Sequence, residues 1–227
     1  MKMKPGELRL YAVTDRAWAH TMEVLEGQIA AAIKGGATFV QLREKDMQPR
    51  EFLTEANWVV RLCHSMGVRC VINDNVDVAL LSHADGVHIG QDDMDCKKAR
   101  VLLGEGKIIG VSAHTVDEAI AAEAAGADYL GSGAAFPTDT KAVTAHLHPE
   151  DFKAICSAVK IPVVAIGGIT RRFFNVSEPT GNSEIKSFIL LYPPWNVFSV
   201  KNRPHNTPWQ LHRTAHNMHC SYNYRSH

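Results

Sequence analysis

Short runs of β-branched and apolar residues alternate, over the first three quarters of the chain, with longer segments whose apolar positions recur at helical spacing. That alternation predicts a parallel sheet covered by crossover helices. Seven strands are expected, at Leu8–Val13, Phe39–Arg43, Arg69–Asn73, Gly86–Ile89, Ile108–Ser112, Tyr129–Ser132 and Pro162–Ile166. Amphipathic or Ala-rich helices are expected between them, over Met22–Lys34, Pro49–Met66, Val76–Ser82, Asp95–Leu103, Val116–Ala125 and Pro149–Val159. Gly35-Gly36, Gly67, Gly104 and Gly126 stand where helix C-terminal caps are wanted.

Each strand is apolar until its last residues, where polar groups appear: Thr14-Asp15, Gln41 and Arg43, Asn73-Asp74, His88, Ser112, Ser132. In a (β/α)8 barrel of the TIM type the C-terminal strand ends form the active face, so an α/β barrel would bring these groups together. Only about seven βα units can be read. After Gly167-Gly168-Ile169-Thr170 the periodicity stops, and Arg171–His227 carries five prolines and five histidines. Ser187–Tyr192 reads as a doubtful eighth strand, ended by Pro193-Pro194 and followed by no amphipathic helix, so the first and seventh strands are expected to keep open edges.

Composition sharpens that break. Residues 1–170 hold 17 basic and 22 acidic side chains, whereas 171–227 hold 7 and 2, and only one glycine and one alanine follow the break. Residues 1–170 are therefore read as one incomplete barrel and 171–227 as an atypical tail, disordered and not an independent domain. Charges balance over the whole chain at a formal net charge of +0, which points to neither a nucleic acid nor a membrane surface as partner. The five cysteines lack any CxxC spacing, and together with the absence of a secretory leader or a long apolar run they read as reduced thiols of a cytoplasmic protein.

Five groups of residues carry candidate chemistry. Gln41-Leu42-Arg43-Glu44-Lys45-Asp46 places an amide and two cations at one strand end, suited to a pyrophosphate; taken alone it reads as a solvated charged loop. Asp74 and Asp93 put two carboxylates at neighbouring strand ends. Each alone could cap the following helix, but together, beside cations, they suit Mg²⁺. Ser112-Ala113-His114 pairs a hydroxyl with an imidazole, without an orienting acid or the glycines of a nucleophile elbow. Ser112 is better read as a ligand hydrogen-bonder or helix cap, and His114 and His88 as structural. Gly131–Lys141, with Thr138-Asp139-Thr140-Lys141, forms a hydroxyl-bearing loop able to close over phosphates, and Gly167-Gly168 allows close backbone approach to an anion, though a tight turn explains those glycines equally.

In order and spacing, Tyr11–Asp15, Gln41–Asp46, Ile72–Asp74, Gly86–Gln91, Gly110–Ser112, Gly131–Lys141 and Ala165–Thr170 resemble thiamine phosphate synthases. The resemblance implies a transferase that condenses hydroxymethylpyrimidine pyrophosphate with hydroxyethylthiazole phosphate, with Mg²⁺ assisting departure of the pyrophosphate. It assigns Asp74 and Asp93 to the metal, and Arg43, Lys45 and Lys141 to the pyrophosphate. Ser112, Lys141 and Arg43 become the catalytic set. Gln41 and Asn73 join the pyrimidine side, Thr138, Thr140 and Gly168 the thiazole phosphate side, and Leu42, Glu44 and Asp139 the substrate-binding set without a side of their own.

The tail departs from the family, whose eighth strand ends in small residues that complete the phosphate site. Low turnover is therefore expected, and a frameshift or gene fusion after codon 170 would produce such a break; retranslation in the other frames tests it. A thiazole tautomerase-like relative and a non-catalytic remnant stand as alternatives. Oligomeric state is not legible.

Overall fold

A computed structural model of the chain describes Met3, residues 6–134 and 147–167, and three short segments at 188–191, 198–200 and 211–213. Its helices begin where the sequence supplies a cap. Thr21 accepts from the Val24 amide at the start of α1 (Met22–Lys34), Asn75 from Val78 before α3 (Val76–Leu81), Asp95 from Lys98 before α4 (Cys96–Leu103), and Thr115 from Glu118 before α5 (Val116–Ala124). α2 (Pro49–Ser65) and α6 (Pro149–Ala158) start instead on a proline, whose missing amide hydrogen costs nothing in the first turn. A positive φ at Gly67, Gly104 and Gly126 turns the chain out of α2, α4 and α5.

The strands are β1 (Leu10–Val13), β2 (Phe39–Leu42), β3 (Arg69–Asn73), β4 (Gly86–Ile89), β5 (Ile108–Ser112), β6 (Tyr129–Ser132) and β7 (Val163–Ala165), joined in that order by parallel pairing. Each lies within a span expected from the sequence. Alternation divides their side chains between two cores. Val40, Leu42, Ile72, Val87, Ile109 and Leu130 face outward into a large cluster with Val59, Val60 and Ile155 of the covering helices. Tyr11, Phe39, Val71, Ile108, Tyr129 and Val164 face inward and fill the barrel. Tyr11 meets Phe39 edge-on at a centroid distance of 4.8 Å, and Tyr129 meets both rings at 5.9 and 6.0 Å. Such edge-to-face pairs contribute about 0.5–1.5 kcal/mol each beyond area burial, so the lower barrel is a packed plug and not a channel.

The expectation of open edges on the first and seventh strands is corrected. Part of the tail, β8 (Phe188–Leu191), pairs in parallel with β1 from Leu10↔Phe188 to Val13↔Leu191 and meets β7 at Ala165↔Phe188, closing the barrel. These four consecutive apolar residues lie within Ser187–Tyr192, the stretch that reads from the sequence as a doubtful eighth strand. The tail also holds an antiparallel pair, β9 (Phe198–Val200) with β10 (Leu211–Arg213), where the sequence pattern showed no element. Among the described residues, no helix is long and apolar enough to cross a membrane.

Candidate active site

The inward-facing residues at the C-terminal strand ends are polar, and they are connected. Gln41 of β2 donates its amide Nε2 to the Tyr11 hydroxyl at 2.6 Å, and the Tyr11 hydroxyl lies 2.8 Å from that of Tyr129. The chain continues from Tyr129 to His88 Nδ1 at 2.9 Å and from His88 Nε2 to Ser112 Oγ at 3.1 Å. A file of hydrogen bonds thus crosses the barrel from β2 to β5 just above the aromatic plug. Burial raises the pKa of both phenols, chiefly by desolvation, so each hydroxyl keeps its proton. Gly110 makes the file possible, because a Cβ there would stand 2.1 Å from the Tyr129 ring and 2.5 Å from His88 Nδ1.

Beside Asn73 the backbone enters the left-handed region at Asp74, with φ 62, while its amide donates to His88 O at 2.7 Å. A non-glycine residue held there is uncommon and collects at functional sites. The Asp74 carboxyl comes within hydrogen-bonding reach of Asp93. Burial first, and the Asp93 carboxyl second, push its pKa up to about 6, against the pull of Lys45 and Arg43. Asp93 is itself fixed by accepting from the Gly90 amide at 2.6 Å. Neither aspartate caps a helix, since Asn75 and Asp95 hold those positions. The two acids and two cations named from the sequence therefore meet at one corner of the barrel mouth.

The segment bearing those cations is anchored from below. Arg16, in the short 3-10 turn after β1, bonds both Glu44 oxygens through Nε at 3.1 and 3.2 Å and pairs with Glu55 of α2. Burial, opposed by Arg16 and reinforced by Glu55, raises the Glu44 pKa to about 7. The Arg43 amide donates to Thr14 Oγ1 at 2.9 Å, tying the same segment to β1. The Glu44 carboxylate is thus committed to Arg16, and the Leu42 side chain is fully buried in the outer core at 0% exposure. Any part these two take in ligand binding falls to their backbone or to positioning.

Thr138, Asp139, Thr140, Lys141 and Gly168 lie outside the described residues. Of the remaining expected residues, Gln41, Asn73 and Ser112 line the inward face and Arg43, Lys45, Asp74 and Asp93 cluster at its rim. The sequence reading missed Tyr11 and Tyr129 as site components and took His88 for a structural residue. Their strand alternation placed them inward with Gln41 and Ser112, which was the available signal. The imidazole partner of Ser112 is His88 and not the adjacent His114, whose Nδ1 lies 3.5 Å from Glu118.

Comparison with known proteins gives a consistent result. The model of a family described as thiamine monophosphate synthase matches residues 10–176. A thiamine-phosphate synthase of Clostridium acetobutylicum is 47% identical over 179 residues, covering 79% of this chain and 84% of that one. A chloroplastic thiamine biosynthetic bifunctional enzyme of Arabidopsis thaliana is 50% identical over 169 residues, 73% of this chain. The chain spans only about a third of the length of the plant relatives, 30% and 32% for rice and Arabidopsis. Among solved structures, a thiamine phosphate pyrophosphorylase from Pyrococcus furiosus superposes with a TM-score of 0.70 at 34% identity, covering 82% of this chain and 87% of that one.

Proposed function

The chain belongs to the thiamine monophosphate synthase family, and from that premise we propose that its barrel mouth condenses hydroxymethylpyrimidine pyrophosphate with hydroxyethylthiazole phosphate. The products are thiamine phosphate and pyrophosphate. The observation that carries this reading is the corner where Asp74 and Asp93 meet beside Arg43 and Lys45. A pair of acids with cations alongside is what a pyrophosphate bound through a divalent cation requires.

The donors fit Mg²⁺. Two neighbouring carboxyls repel when both are ionised, which together with burial pushes the Asp74 pKa up, and a hard cation relieves that repulsion. Among the described residues no group of three or more acidic, His or Cys side chains gathers, so water and phosphate oxygens would complete the shell. When bound, Mg²⁺ supplies charge neutralisation to the departing pyrophosphate. Arg43 and Lys45 supply fixed positive charge on the same side, and Lys141 belongs to this set by its place in the family motif. Asn73 and Gln41 face inward, where the pyrimidine would lie, and Ser112 offers a hydroxyl to the leaving group. Pyrophosphate departs with the bonding electrons of the pyrimidine methylene carbon. The thiazole nitrogen then attacks that carbon, and because its charge stays in the product no general base is required of the protein. Thr138, Thr140 and Gly168 would meet the thiazole phosphate.

The test is thiamine phosphate formation by the full chain from the two substrates, with and without Mg²⁺. Product that depends on both substrates and the cation is expected. Turnover of a thiazole alone, without Mg²⁺ or the pyrimidine, would instead assign the chain to tautomerase-like chemistry.

A further inference from the structure

The inward file Gln41–Tyr11–Tyr129–His88–Ser112 contains a fixed number of protons, and that number decides which way each bond points. Gln41 donates its amide to Tyr11, so the Tyr11 oxygen is already an acceptor. If Tyr129 also donated to Tyr11, the Tyr11 proton would be left without an acceptor among the described residues, and Tyr11 is fully buried. Tyr11 therefore donates to Tyr129. Tyr129, holding its single proton, donates to His88 Nδ1. A neutral imidazole that accepts at Nδ1 carries its proton on Nε2 and donates it to Ser112 Oγ. Ser112 is left as acceptor from His88, with its own O–H directed at whatever occupies the barrel mouth.

We propose that Tyr11, Tyr129 and His88 are positioning residues that order these protons so that the Ser112 hydroxyl is preset as a donor to a bound anion. Resting on the synthase reading for the identity of that anion, the proposal makes Ser112 a donor to the pyrophosphate oxygens and leaves it without a base in His88, whose Nε2 already carries the proton it donates to Ser112. The direction of the file costs no reorganisation when the ligand arrives, which is the advantage of preset donors over water. Gly110 belongs to the same device, since any side chain there would displace the Tyr129–His88 bond. The aromatic plug beneath holds both phenols in place by edge contacts.

Two measurements on the full chain test this. Nitrogen NMR of imidazole-labelled protein, with His88 assigned through His88→Gln, should show a neutral ring protonated at Nε2 and bare at Nδ1. In Tyr129→Phe the Nδ1 loses its donor, the ring becomes free to accept from Ser112, and the protonated nitrogen should switch. A wild-type ring protonated at Nδ1 would overturn the proton order. The second measurement is binding of inorganic pyrophosphate with Mg²⁺. Tyr129→Phe should weaken it about tenfold, the loss of one hydrogen bond to a charged group, but by less than about twofold in a Ser112→Ala background. Equal losses in both backgrounds would reduce Tyr129 to a packing role and overturn the proposal. The expected tautomer with no pyrophosphate binding at all would leave the proton order standing and overturn the synthase reading, so the two failures are distinguishable.

Discussion

Arg16 Nε bonds both carboxylate oxygens of Glu44, at 3.1 and 3.2 Å, and by doing so fixes the segment that carries Arg43 and Lys45. The same guanidinium pairs with Glu55, whose other oxygen, Oε1, is buried without a partner among the described residues. One cation shared by two acids leaves a surplus negative charge, and the cluster meets it by holding a proton near neutrality.

Glu44, with a pKa pushed up to about 7 from 4.5, keeps a proton in the folded chain that the unfolded chain releases. Its contribution to stability is present below about pH 4.5 and is lost as pH rises through 7. Glu44→Gln should flatten that fall, seen as a Tm less dependent on pH between those limits. Arg16→Ala should destabilise by roughly 3 kcal/mol, the lower end for breaking a buried ion pair because Arg16 is 33% exposed, and urea unfolding measures it.

Asp93→Ala removes the carboxyl that, after burial, does most to raise the Asp74 pKa, which should move down from about 6 toward the ordinary carboxylate range in a carboxyl NMR titration. Mg²⁺-dependent pyrophosphate binding should be lost with it, and added Mg²⁺ should not fully restore turnover. In the wild-type chain the cation competes with the Asp74 proton, so Mg²⁺ affinity should fall as pH drops through about 6. An unchanged rate in Asp93→Ala would remove that residue from the metal site.

Gly110→Ala should cost about 3 kcal/mol or more, the upper end for overpacking, because its Cβ would stand 2.1 Å from a ring carbon of Tyr129, whose own position is fixed by Tyr11 and Phe39. Chemical denaturation reads the loss. A variant as stable as the wild type would mean that the plug yields more easily than its packing implies.

β8 closes the barrel, so Leu190→Pro, which removes an amide from the β1–β8 ladder opposite Ala12, should expose the edges of β1 and lead to association on size exclusion. The chain beyond β8 continues Tyr192-Pro193-Pro194, and the two prolines have no amide hydrogen to offer an anion. Calorimetric titration should therefore find the thiazole phosphate bound weakly and the pyrimidine pyrophosphate bound well, with slow turnover as the consequence. Efficient turnover at ordinary thiazole phosphate affinity would show that donors elsewhere in the chain replace them.

The sequence by itself determined the order and extent of β1 to β7 and their helices, because strand and helix periods, caps and glycine turns are local properties of adjacent residues. It also placed Gln41, Asn73 and Ser112 near the C-terminal ends of their strands and singled out Asp74 and Asp93 as a pair. Tertiary structure alone decided three matters. Phe188–Leu191 became a barrel strand because β1 and β7 offered it an unfilled place, a stabilisation from residues more than 20 positions away that its own neighbours do not reveal. Glu44 was withdrawn from the ligand by Arg16, 28 residues earlier. His88, and not the adjacent His114, became the partner of Ser112, because parallel pairing of β4 with β5 sets His88 opposite Gly110, two residues before Ser112, and the His88 and Ser112 side chains both point inward. Hydrogen bonds across a barrel depend on strand register, and register is a property of the closed sheet.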